Sequence, residues 1–125
     1  TINAKKKPVV IITSNRTREV GDGLRRRCLY IYVTYPSSEK ERRILSLKVP
    51  QLSPKLADEV VAFVQRLRQV SELSKKPGIS ETLDWANALS VLGAAEITPA
   101  VISSTLSCLV KNEDDIRIVR ELGIV

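Results

Sequence analysis

The chain has 125 residues, 43% hydrophobic and 27% charged, with a net charge of +6 and no histidine. These proportions suit a folded domain with its own core and exclude disorder, collagen and a coiled coil. Without histidine, a Ser-His-Asp triad, a Cys-His pair and a two-histidine zinc helix are all impossible.

Val9-Val10-Ile11-Ile12 is an unbroken β-branched run between Pro8 and Thr13-Ser14-Asn15. It predicts a strand covered on both faces, as in a parallel sheet. Leu29 to Tyr35 predicts a second strand, with Leu29, Ile31, Val33 and Tyr35 on one face. Residues 15–27 between them are too many for a tight hairpin and suit a crossover with a short helical turn. Gly21 and Gly23 argue against a long helix there.

After Pro36 the pattern becomes helical. Ser38-x-x-Glu41 reads as a capping box that opens a helix running to about Lys48. Ser53-Pro54 combines an N-cap with proline at the first helical position. The helix that follows carries Leu56, Val60, Val64, Leu67 and Val70 on one stripe and ends near Leu73. Ser80 is expected to cap a helix with Leu83, Ala86 and Leu89 inward, closed by Gly93. Thr98-Pro99 opens another, with Val101, Ile102, Thr105, Leu106 and Leu109 facing the core. The last, about Glu113 to Leu122, places acidic residues in its first turn, as the helix dipole favours. The expected fold is mainly α: about five helices preceded by two strands. Pro36 marks a boundary between residues 1–36 and 37–125. Two strands make no stable sheet alone, and the chain does not open on Met, so it reads as starting inside a longer protein.

Charge is unevenly spread. Residues 1–27 contain eight basic and two acidic residues, whereas residues 28–125 contain twelve of each. The whole excess therefore lies in the first fifth, which points to an anionic partner such as nucleic acid or a nucleotide's phosphates. Lys5 to Lys7 suit a solvated terminus; Arg25-Arg26-Arg27 between two apolar segments asks for more. By themselves, Ser14 and Asn15 either close the strand or present polar groups where parallel sheets bind ligands. The arginines likewise serve as a solvated face or as phosphate donors. No apolar run reaches the ~18 residues of a membrane span. Thr1 to Lys7 lead into no signal-peptide core. A cytoplasmic protein with Cys28 and Cys108 as buried, reduced thiols is expected.

The segments Val9 to Asn15 and Gly21-Asp22-Gly23-Leu24-Arg25-Arg26-Arg27-Cys28 resemble the sensor-1 strand and arginine-finger turn of AAA+ ATPases. Arg27-Cys28-Leu29-Tyr30-Ile31, Tyr35-Pro36 and Lys76-Pro77-Gly78-Ile79-Ser80-Glu81-Thr82-Leu83-Asp84-Trp85-Ala86 resemble the MoxR branch, in particular members associated with von Willebrand A domain proteins. The resemblance runs from about Pro8 to Leu122. It implies the C-terminal part of such an ATPase, the end of the core sheet plus the helical lid. The parent would use ATP and Mg²⁺ to remodel protein complexes, as a ring that the family leads one to expect is a hexamer. A von Willebrand A domain protein would be its partner. Asn15 then matches sensor 1, which orients the attacking water. Arg27 matches the finger that reaches a neighbouring subunit's ATP, with Arg26 the rival one position away. Such a finger is worth about 10³–10⁵ in rate. Ser80, Glu81 and Thr82 match the sensor-2 region, here without a basic residue.

No Gly-x-x-x-x-Gly-Lys-Ser/Thr loop and no strand ending in Asp-Glu is present, so the fragment alone is expected neither to hydrolyse ATP nor to hold it or a metal tightly. In the family the phosphate-loop strand lies between the two strands found here. Without it, Val9 to Thr13 and Leu29 to Val33 are expected to pair with each other or with a second copy. Two other readings compete. One is a basic nucleic-acid-binding module, disfavoured because no aromatics interleave with the basic residues; the other is a helical adaptor for a protein partner.

Overall fold

Short polar side chains that can accept a bond from a free amide set most helix starts in this chain. The computed structural model describes residues 5–15 and 20–124. These residues form six α-helices and one 3-10 turn. They are α1 (Asp22–Arg25), α2 (Ser38–Lys48), α3 (Pro54–Gln69), α4 (Ile79–Val91), α5 (Pro99–Thr105), the 3-10 turn Leu106–Cys108, and α6 (Glu113–Glu121). The protein is mainly α, and no strand occurs among the described residues. No described helix is long and apolar enough to cross a membrane. The backbone divides into two units, 1–33 and 34–125.

In the first unit the two expected strands do not form. Residues 9–13 and 29–33 have no regular structure. Val9 is 92% exposed and Leu29 99% exposed, so nothing packs on either side chain. The expected pairing of one run with the other is also not seen. The physical reason is that a β-branched run gains its stability from neighbouring strands and a covering layer, and two short strands supply neither. The intervening helical turn does form, as α1, within residues 20–27. Arg16 and Arg18 lie outside the described residues.

The second unit holds the core. Leu45 of α2, Leu56, Val60, Val64 and Leu67 of α3, Trp85 and Leu89 of α4, Leu106, Leu109 and Val119 are buried together. Trp85 is completely buried; its indole N–H donates to Thr105 Oγ1 at 2.8 Å, and its ring lies 5.2 Å from that of Phe63. An aromatic with a satisfied polar end is a strong anchor for a small core. The α4 stripe is therefore Thr82, Trp85, Ala86 and Leu89, with Leu83 only half-buried.

Caps explain most boundaries. Ser53 Oγ accepts from Leu56 N at 3.2 Å, and Thr98 Oγ1 accepts from Val101 N at 3.3 Å, each ahead of a proline. Asn112 Oδ1 accepts from Asp114 N at 3.0 Å to start α6. Gly93, at φ 65°, ends α4: its N–H bonds Ser90 O and that of Ala94 bonds Leu89 O. This double closure needs a left-handed residue, which glycine adopts without steric cost. Gly123, at φ 61°, closes α6 in the same way through Arg120 O and Val119 O.

Several boundaries differ from the sequence expectation. α2 is capped by Ser37, whose Oγ accepts from Lys40 N at 3.3 Å, and Ser38 is its first helical residue. α4 begins at Ile79 after Gly78, so Ser80 lies inside the helix and caps nothing. α3 ends at Gln69, and α5 tightens into the 3-10 turn after Thr105. Cys28 is exposed and Cys108 half-buried, and both are free, so neither is the buried thiol expected.

Candidate functional site

The residues singled out by sequence divide between the two units. Asn15, Arg26 and Arg27 lie in the first and are exposed. Arg26 ends α1, and Arg27 Nη1 donates to Gly23 O at 3.1 Å, one turn back. The Arg25 guanidinium sits 5.8 Å from the Tyr30 ring centre, a cation–π contact of surface type. The short helix thus displays its arginines at one end, where their charge meets solvent.

In the second unit, Ser80, Glu81 and Thr82 have three different roles. Ser80 is exposed. Glu81 Oε2 accepts from Gly78 N at 2.9 Å, a reach back across the first turn that fixes the start of α4. Thr82 is fully buried, its hydroxyl 2.9 Å from Glu41 Oε1 and 3.0 Å from Gly78 O, either of which accepts its proton. Thr82 therefore belongs to an internal polar network and is turned away from any ligand at the surface.

The centre of that network is an ion pair absent from the sequence reading. Arg68 Nη2 and Nη1 donate to Glu41 Oε1 and Oε2 at 2.7 and 2.8 Å, and Arg68 Nε donates to Pro77 O at 2.8 Å. Gln65 Nε2 adds a bond to Glu41 Oε2 at 2.9 Å and one to Pro36 O at 3.2 Å. The Tyr35 ring lies 4.9 Å from the Arg68 guanidinium, and its hydroxyl donates to Lys76 O at 3.4 Å. No buried side-chain polar atom is left without a partner among the described residues. The network joins α2, α3 and the start of α4, and it holds Tyr35-Pro36 against them. The only clue in the sequence is the spacing of Arg68 beside the apolar α3 stripe.

A second buried carboxylate stabilises the α3–α4 connection. Asp115 Oδ1 accepts from Ser74 N at 2.9 Å, and Oδ2 accepts from Ser74 Oγ at 2.8 Å and from Lys75 N at 3.1 Å. Burial, the largest influence on Asp115, pushes its carboxyl up; the Ser74 and Lys75 donors together outweigh it and hold the group below its ordinary value. Beside this connection is a cavity of about 180 Å³ lined by Lys75, Lys76, Pro77, Glu81, Leu109, Lys111 and Asn112.

Among the described residues no cluster of acidic or thiol side chains is placed to hold a metal ion. No protein-family model, curated protein or solved structure matches the chain.

Proposed function

We propose that the chain is the C-terminal part of a MoxR-like AAA+ ATPase, contributing sensor 1, the arginine finger and the helical lid to a ring that remodels protein complexes. The observation that carries this reading is the order of three segments, Val9 to Asn15, Gly21 to Cys28 and Lys76 to Ala86, the last of them inside a helical unit with a core of its own. The exposure of Asn15, Arg26 and Arg27 also supports it, because groups that serve a nucleotide outside this chain must be accessible. Residues 1–36 would then be the end of the core sheet, and their apolar runs would be covered by strands of the rest of the ATPase. Ser80, Glu81 and Thr82 take no phosphate-binding role in this reading: Glu81 and Thr82 are engaged within the fold, and Ser80 carries no charge.

The test is made in the complete ATPase. Arg27→Ala is expected to abolish turnover while sparing nucleotide binding, because a trans arginine stabilises the transition state more than the ground state. Rings mixing Arg27→Ala subunits with subunits defective in their own phosphate loop should regain part of the activity. Equal loss of binding and turnover overturns the assignment. If Arg26→Ala gives the pattern and Arg27→Ala does not, the finger is Arg26.

A further inference from the structure

Three lysines line one cavity in the helical unit, and none of them has an acidic partner among the described residues. Lys75 and Lys76 come from the α3–α4 connection and Lys111 from the segment before α6. The ion pairs among the described residues are Arg42–Asp58, Lys55–Glu59, Lys55–Glu96, Arg68–Glu41 and Arg117–Asp114, so the three ammonium groups take part in none. Glu81 is the one carboxylate in the lining, and its Oε2 is engaged with Gly78 N. Lys75 and Lys111 are exposed and Lys76 half-buried, so the lining carries three positive charges against the one negative charge of Glu81, a net positive field that attracts an anion.

The backbone bearing these lysines is held from several sides. Asp115, in the first turn of α6, binds Ser74 and the Lys75 amide, which fixes the Lys75 segment relative to Lys111 and Asn112. Asn112 Nδ2 adds a bond to Ser74 Oγ at 3.4 Å. Tyr35 donates to Lys76 O, and Arg68 donates to Pro77 O. A site pre-organised in this way loses little conformational freedom on binding. Buried Leu109 and Pro77 supply its apolar lining.

We infer that this cavity binds a small phosphate-bearing anion, with Lys75, Lys76 and Lys111 as its donors and Asn112 Nδ2 at its edge. At about 180 Å³ the cavity is smaller than the ~300–1,000 Å³ of pockets that enclose a whole drug-sized ligand. It fits one or two phosphate groups and leaves the rest of a larger molecule outside. Lysine suits this task as a compact, rotatable charge. The concave shape and the single cluster favour a small anion over a nucleic-acid backbone, which calls for a row of basic residues along a face. The inference concerns the helical unit and does not depend on the ATPase reading.

Inorganic pyrophosphate is the probe. Titrated into the 125-residue chain and followed by amide chemical shifts, it should give saturable changes at Lys75, Lys76, Lys111 and Asn112. The double change Lys76→Gln with Lys111→Gln should weaken binding about tenfold or more, since two charge-assisted bonds are lost. Its melting curve should match the parent's, because neither side chain is part of the core. Lys48→Gln, on α2, should bind as the parent does. Three results would overturn the proposal: no saturation by about 10 mM, unchanged binding in the double variant, or the largest shifts at Arg25 to Arg27. Tighter binding of a short single-stranded DNA at the same four amides would overturn the small-anion assignment.

Discussion

Glu41 and Arg68 face each other through two parallel hydrogen bonds of 2.7 and 2.8 Å, with side chains 0% and 4% exposed. Two charges taken this far from water are tolerated because their remaining bonding capacity is met by Gln65, Thr82 and Pro77. Removing either partner leaves the other buried and uncompensated. Glu41→Ala or Arg68→Ala is expected to cost about 3–5 kcal/mol in urea denaturation of the chain. Glu41→Ala combined with Arg68→Ala should cost much less than the two single changes together. Additive losses would mean the two residues act independently, against the geometry of the pair.

The same pair accounts for where α2 starts. Ser37 and Ser38 are both good caps, and Glu41 three residues after Ser38 matches a capping box. Arg68, 27 residues further on, takes the carboxylate for the core, and the cap passes to Ser37. Ser37→Ala should therefore cost about 1 kcal/mol. Ser38→Ala should stay within about 0.5 kcal/mol. The reverse order in thermal melts would restore Ser38 as the cap.

Legibility in the sequence follows the range of the interaction. Ser53-Pro54, Thr98-Pro99 and Gly93 act within four residues, and each helix end they specify is readable. The Glu41–Arg68–Thr82 network and the Asp115–Ser74 clamp join residues 14 to 41 apart, and no local pattern announces them. The β-branched runs Val9 to Ile12 and Leu29 to Val33 mislead for the converse reason: their local preference is clear, but a strand needs neighbours. Among the expected site residues, Glu81 and Thr82 match the sensor-2 region by position in a motif; the contact of Thr82 with Glu41, 41 residues away, is not legible locally, whereas that of Glu81 with Gly78 spans three residues.

Asp115 sets an acid-side dependence. Its carboxyl is held below the ordinary value in the folded chain, so the unfolded chain binds the proton more readily. The stability it contributes is complete above the unfolded pKa of about 4 and is lost as pH falls through the lower folded value. Urea midpoints measured from about pH 6 down to about pH 2 should fall for the parent chain, and Asp115→Asn should flatten part of that fall. Asp115→Asn should also loosen the Ser74 and Lys75 amides, read as faster hydrogen exchange at those two positions. An acid limb of unchanged steepness would remove Asp115 from the explanation.

The last prediction concerns the first unit. Val9, Ile11, Leu29, Ile31 and Val33 are each more than 80% exposed, in two runs of strand-forming residues without a ladder. Exposed segments of this composition invite pairing with another chain, because their amides and carbonyls are unpaired in a ladder and their side chains gain by leaving water. The 34–125 unit has its caps and core within itself, so a chain of residues 34–125 should fold cooperatively and stay monomeric. The 125-residue chain should self-associate as its concentration rises, seen in sedimentation velocity. Ile11→Lys with Ile31→Lys should suppress association without lowering the melting temperature of the helical unit, since neither residue contributes to its core. A full chain that stays monomeric up to about 200 µM would mean the two runs are no liability in isolation. Association that persists after both changes would locate the contact on the helices instead, at exposed positions such as Val91 and Leu92 at the end of α4.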